Sequence, residues 1–200
     1  ELRRLLQKIK TEGAVSSLKQ VWNRLDTWTP LGYSCAGVVL AVGPDVRNIM
    51  PGDSVACAGG EFANHAEIVV VPAQLVIRIQ KNISIEEAPF TTIGAIALQG
   101  VRQANPKIGE IFLVFGLGLI GQITTQTLIA NGCKVLVYDI QRDLVNLAKK
   151  FGAIPITSKK EFFKKINQVS NGMGIDGTII TAGSKNSEPI NIFNITVTVI

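Results

Sequence analysis

The sequence predicts an α/β chain whose second half is a parallel sheet covered by helices. Three observations carry that expectation. From residue 111 onward, short apolar runs alternate with helical runs in the order βαβαβαβ. The stretch VFGLGLIGQ, residues 114–122, sets Gly116, Gly118 and Gly121 between an apolar strand and an apolar helix. Residues 36–79 instead carry short Val- and Ile-rich runs split by Gly-Pro, Pro-Gly and Gly-Gly turns, the pattern of a small barrel or strongly bent sheet.

Composition bounds the rest. At 46% apolar and 18% charged, the 200 residues hold enough apolar side chains for a packed core and exclude wholesale disorder. No run approaches the roughly 18 consecutive apolar residues of a membrane span. The net charge of +5 is scattered over Arg3, Arg4, Lys8, Lys10 and the KKEFFKK stretch, without the interleaved aromatics of a nucleic-acid groove. Neither membrane nor nucleic acid is therefore an expected partner. Cys35, Cys57 and Cys133 show no CxxC spacing, so they read as small buried side chains rather than a disulfide framework or a zinc knuckle. That usage fits a reducing cytoplasm.

Taken in order, residues 1–26 read as two helical pieces around Gly13, with Leu2, Leu5, Leu6 and Ile9, then Leu18, Val21, Trp22 and Leu25, at helical spacing. Pro30 and Gly32 end them. Strands are expected at GVVLAV, DSVACA, AEIVVV and LVIRI. After Ser84, which has Glu87 at capping-box spacing, a capped helix, a break near Pro89 and a second helix follow as a bridge. Then come strand IFLVF, a helix after Gly121, strand KVLVYD, helix RDLVNLAKKFGA, a short strand near Ile154, helix KEFFKKINQVS and strand DGTIITAG. The expected organisation is a helical segment over residues 1–30, a first domain with the bridging helices over 31–105, and a dinucleotide-binding domain over 106–200.

Each glycine of the loop has a physical job. Gly116 permits the tight turn out of the strand, Gly118 lets a pyrophosphate approach the backbone, and Gly121 lets the helix pack closely on the sheet. Leu119 and Ile120, at the helix N-terminus, present free N–H groups to phosphate charge. Asp139 ends the next strand, 23 residues after Gly116, where a carboxylate accepts ribose hydroxyls and repels a 2′-phosphate. That favours NAD(H) over NADP(H), although Arg142, three residues on, is placed to neutralise a 2′-phosphate. Two other readings stay open: a glycine turn without cofactor, and a methyltransferase holding S-adenosylmethionine in the same crevice.

Beyond the loop, GYSCAGVVLAVGPDVRNIMPGDSVA, HAEIVVVPA, EEAPFTTIGAIALQGV and VFGLGLIGQ together resemble the medium-chain dehydrogenase/reductase superfamily, the alcohol dehydrogenase and quinone oxidoreductase relatives. The spacing of Val42-Gly43 to Gly52-Asp53-Ser54-Val55 is the most specific part, and the resemblance runs from about Gly32 to Ser187. KIKTEGAVSSLKQVWNRLD resembles a bacterial zinc-type or bi-domain oxidoreductase branch. The resemblance implies a Rossmann-type sheet, truncated at its end and preceded by a partial GroES-like barrel. It further implies that the chain is a piece of a longer protein, that the substrate is a small molecule related to sugars, and that the partners include a homodimer mate and a further sugar-oxidoreductase-type domain.

It also bears on metal and catalysis. Where zinc-dependent members carry their His-Glu pair, this chain has Tyr33 and Ser34, neither a usual zinc ligand. Residues 88–108, which match the bridge bearing the third ligand, contain no Cys, His, Asp or Glu, and the structural zinc lobe is reduced to Cys57. No zinc is expected, and His65, the single histidine, reads as structural or surface. Tyr33 and Ser34 become candidate donors to a substrate oxygen, with packing at a domain junction as the alternative role for Tyr33. Thr91 and Thr92 match a helix that lines the nicotinamide pocket, and Thr181, Ala182 and Gly183 end a strand whose backbone faces the carboxamide in relatives. The leading expectation is a zinc-independent, NAD(H)-preferring oxidoreductase acting on an alcohol or carbonyl. The alternatives are a non-catalytic NAD-binding or interaction module and an NADPH-dependent quinone or enal reductase.

Overall fold

The computed structural model describes residues 30–183. The helices expected before Pro30 and the tail after Gly183 lie outside them. The chain divides into two compact units between Ala88 and Pro89.

The first unit holds an antiparallel sheet of β1 (Ser34–Val38), β2 (Ser54–Ala58) and β3 (Val76–Arg78), in that order. Strand β2 is central and the most buried, with Val55, Ala56 and Cys57 in the core beside Ala63. The expected GVVLAV strand is displaced: pairing spans Ser34–Val38, and the chain then leaves the ladder. Its last tie is to the turn before β2, where the Val39 N–H donates to Asp53 O and the Gly52 N–H donates to Val39 O. AEIVVV does not form a strand. Those residues have no ladder partner among the described residues, and Ile68 and Val70 stay exposed. A β-propensity run without a neighbour to satisfy its backbone is not a strand.

The bridge is also corrected. Ser84 and Glu87 do exchange both capping-box bonds, at 3.2 Å each, and the Ala88 N–H donates to Ser84 O at 3.1 Å. The helix stops after that single turn, because Pro89 has no N–H to extend it and pushes the residue before it out of the helical region. Only the second helix forms, α1 (Phe90–Ala104), entered from Pro89 and closed by Asn105 in the left-handed region at φ +48°. Val101 joins the core of the second unit, so α1 belongs with that unit rather than with the residue 31–105 domain of the expectation.

The second unit is the expected α/β layer structure. Strands β4 (Ile111–Phe115), β5 (Lys134–Tyr138), β6 (Ile154–Pro155) and β7 (Gly177–Ile180) form one parallel sheet in the order β6-β5-β4-β7. Helices α2 (Leu119–Ala130), α3 (Arg142–Lys150) and α4 (Lys159–Ser170) make the crossovers. Every residue of β4 is buried, because it is central and covered on both faces. Phe112 and Val114 pack with Val101, Leu128, Val145 and Ala148, while Ile111, Leu113 and Phe115 pack with Phe162 and Ile166 of α4. The period-2 alternation of one strand thus feeds two cores. Consecutive strands run outward from β4 to β6, and the chain then returns to pair β7 on the other side. This places a topological switch point between the carboxyl ends of β4 and β7.

Candidate functional site

The glycine loop sits at that switch point. Gly116 leaves β4 at φ +90°, which an L side chain resists, and a Cβ there would lie 2.6 Å from Ala182 N. Gly121, in the first turn of α2, faces the Gly116 carbonyl: a Cβ there would lie 2.0 Å from Gly116 O and 2.7 Å from Thr181 Oγ1. The third glycine therefore makes room for a carbonyl and a hydroxyl as well as for the sheet. Gly118 differs. Its backbone is ordinary and extended, at φ −62°, and a Cβ would meet nothing within 4 Å. Among the described residues neither strain nor packing demands a glycine there, and the space in front of it is open.

Helix α2 starts at that space with Gly118 as N-cap and no side-chain cap. Its first amides are the donors that an anion at a helix N-terminus uses. At the end of β5, Asp139 accepts from the Leu117 N–H through Oδ2 at 2.6 Å and from the Gln141 N–H through Oδ1 at 2.8 Å. Each carboxylate oxygen keeps acceptor capacity for a hydroxyl. Arg142 opens α3 and is exposed. Thr181 and Ala182 follow β7 against the loop, where the Thr181 hydroxyl donates to Gly116 O at 2.6 Å.

The structure thus brings Gly116, Gly118, Leu119, Ile120, Gly121, Asp139, Arg142, Thr181 and Ala182 to one end of one sheet. Those residues fit a dinucleotide: an uncapped helix start, an open glycine where a side chain would intrude, and a fixed carboxylate one strand away. One residue escaped the sequence reading. Gln122 is buried, and its Nε2 donates to Leu117 O at 3.2 Å and to Leu144 O at 2.8 Å, tying loop, α2 and α3 together. The available signal was an amide within the aliphatic run LIGQI.

The candidate catalytic residues fall in separate units. Tyr33 is half exposed and its carbonyl accepts from the Gly59 N–H; Ser34 begins β1 opposite Ala58. Thr92 lies in the first turn of α1. The His65 ring packs beside Gly32, whose Cβ would lie 2.4 Å from His65 Cδ2, so this histidine helps to set the turn into β1. Cys35 and Cys57 stand directly opposite each other across β1 and β2, a pairing that their separation in sequence hides. Burial, and then the neighbouring Cys35, push the Cys57 thiol up to about 11. Among the described residues no three of His, Cys, Asp and Glu come together to hold a metal. No described helix is long and apolar enough to cross a membrane.

No family model matches the chain. Individual proteins do. The chain is 32% identical over 133 residues to "Reticulon-4-interacting protein 1, mitochondrial" of Caenorhabditis elegans, a match covering 62% of this chain and 36% of that protein. It is 26% identical over 186 residues to D-xylulose reductase of Morganella morganii, covering 78% and 55%. Among solved structures, Escherichia coli quinone oxidoreductase complexed with NADPH superposes with a TM-score of 0.64 at 25% identity, covering 72% of this chain and 46% of that one. The proteins it resembles are oxidoreductases of the medium-chain dehydrogenase/reductase type, and the chain spans about a third to a half of the length of the curated relatives it matches.

Proposed function

We propose that this chain carries the cofactor-binding part of an oxidoreductase that moves hydride between a nicotinamide dinucleotide and an alcohol or carbonyl. The observation that carries the reading is the open Gly118 in front of an uncapped α2, with Asp139 fixed at the neighbouring strand end. When bound, the nicotinamide ring supplies the hydride chemistry. The amides of Leu119 and Ile120 hold the pyrophosphate, and Asp139 accepts from the ribose hydroxyls. The Thr181–Ala182 backbone borders the nicotinamide end. On the resemblance to the family, Tyr33, Ser34 and Thr92 serve as hydrogen-bond donors that polarise a substrate oxygen without zinc. Tyr33→Phe in the full protein lowers turnover if its hydroxyl has that role; unchanged turnover removes it. The likeness to D-xylulose reductase supports a sugar-derived substrate.

Asp139 supports NAD(H), because a fixed negative charge repels a 2′-phosphate. A second reading, NADPH with a quinone-type acceptor, draws on exposed Arg142 and on the NADPH complex of the quinone oxidoreductase. Calorimetric titration of the folded chain with NADH and NADPH separates them. Tighter NADH supports the first reading, and tighter NADPH transfers the site to Arg142. No binding of either by a folded sample overturns both.

A further inference from the structure

Two side chains from just beyond the ends of different strands, β7 and β5, grip the two ends of one peptide group. The carbonyl of Gly116 accepts from the Thr181 hydroxyl at 2.6 Å, and the N–H on the same peptide, that of Leu117, donates to Asp139 Oδ2 at 2.6 Å. Because the peptide is planar, fixing its O and its N–H fixes its rotation about the chain. This peptide gains from being fixed. It follows a glycine at φ +90°, a residue free to occupy either hand of backbone space, so the group could turn over and exchange its donor and acceptor faces. Gln122 then holds the next carbonyl, Leu117 O.

We propose that Thr181 and Asp139 act as positioning residues, a clamp on the Gly116–Leu117 peptide that keeps the glycine loop in its dinucleotide-accepting form. The last clause rests on the function proposed above; the clamp itself does not. One consequence concerns Asp139. It supports the loop as well as facing the ribose, so its loss weakens NADH and NADPH together, with the ribose preference appearing only in the remaining difference between them.

The test uses the chain without cofactor. Amide hydrogen exchange is followed by NMR at Leu117, and at Leu113 and Leu136 in the core, for wild type, Thr181→Val and Thr181→Ser. Thr181 does not touch the Leu117 N–H; it holds the other end of that peptide. The clamp predicts that Thr181→Val speeds Leu117 exchange by about tenfold, the scale of one net hydrogen bond. It predicts little change at Leu113 and Leu136, and recovery in Thr181→Ser, which keeps the hydroxyl. Unchanged Leu117 exchange overturns the clamp. So does equal acceleration at all three sites, because that marks a general loss of stability. Titration of the same variants with NADH and NADPH reads the function separately: Thr181→Val weakens both by a common factor. If the folded wild type binds neither dinucleotide while the exchange effect persists, the functional reading fails and the clamp stands.

Discussion

At the scale of single residues, the three glycines of the loop are not equivalent, and substitution separates them. Gly118→Val places a side chain in open space, so stability falls by no more than about 1 kcal/mol, the cost of a poorer N-cap, while dinucleotide affinity falls by at least about 1.4 kcal/mol, tenfold in Kd. Gly121→Ala instead drives a Cβ into the Gly116 carbonyl and costs about 1–3 kcal/mol of stability, as overpacking does. Thermal unfolding and titration of both variants check the contrast, which disappears if Gly118 is structural. Cys57 offers a second residue-scale test. With its thiol pushed up to about 11 by burial and then by Cys35, only about one molecule in a thousand carries the thiolate at pH 8. Iodoacetamide labelling of Cys57, followed by mass spectrometry, is therefore slow at pH 8 and accelerates as pH rises. Rapid labelling of folded protein at pH 8 contradicts that environment.

At the scale of elements, Asp53 connects the turn before β2 to β3. Its Oδ2 accepts from the Met50 N–H at 2.9 Å, and its Oδ1 accepts from Arg78 at 2.8 Å. The Met50 bond first, and Arg78 second, hold its carboxyl below the ordinary carboxylate range. A lowered folded value means that this stabilisation is fully present above the ordinary carboxylate pKa and is lost as pH falls through the folded value. Asp53→Asn accordingly unfolds at lower temperature than wild type near neutral pH, and the two melting curves converge in acid. A gap that persists in acid assigns the effect to something other than the charge. The same element shows how that spacing works physically: the turn at Gly52 leads through Asp53 into Ser54 and Val55 of β2, and the aspartate ties the turn's backbone and then β3. The capping box at Ser84 and Glu87 shows the opposite case, a correct local signal that Pro89 limits to one turn.

At the scale of the whole molecule, the two units differ in how well their sheets are covered. Among the described residues the parallel sheet has helices on both faces, whereas the antiparallel sheet of the first unit borders an open apolar trough of about 380 Å³. Val70 on its rim is 87% exposed and Leu40 is 70% exposed. The chain as it stands should therefore enhance the fluorescence of anilinonaphthalene sulfonate. Leu40→Lys with Val70→Lys should reduce that signal without lowering the melting temperature, since neither side chain is buried. Absence of the signal in wild type means that the trough is covered.

Much of the second unit was legible because its signals are local. An all-apolar strand, a GxGxxG turn and an aspartate at the end of the next strand are written within residues 111–139, and the unbroken apolar run of β4 already implies two covered faces. The sequence by itself determined which residues form the strands and helices of that sheet, and where its glycine turn lies. Only the tertiary structure decided the order β6-β5-β4-β7, the opposition of Cys35 to Cys57, and the absence of a ladder partner for AEIVVV among the described residues. It also decided that Thr181, 65 residues beyond Gly116, and Asp139, 22 residues beyond Leu117, grip the same peptide. The physical reason is range: propensity, capping and turn chemistry act over a few residues, whereas register and side-chain grip depend on which distant backbone atoms the fold brings within hydrogen-bonding reach.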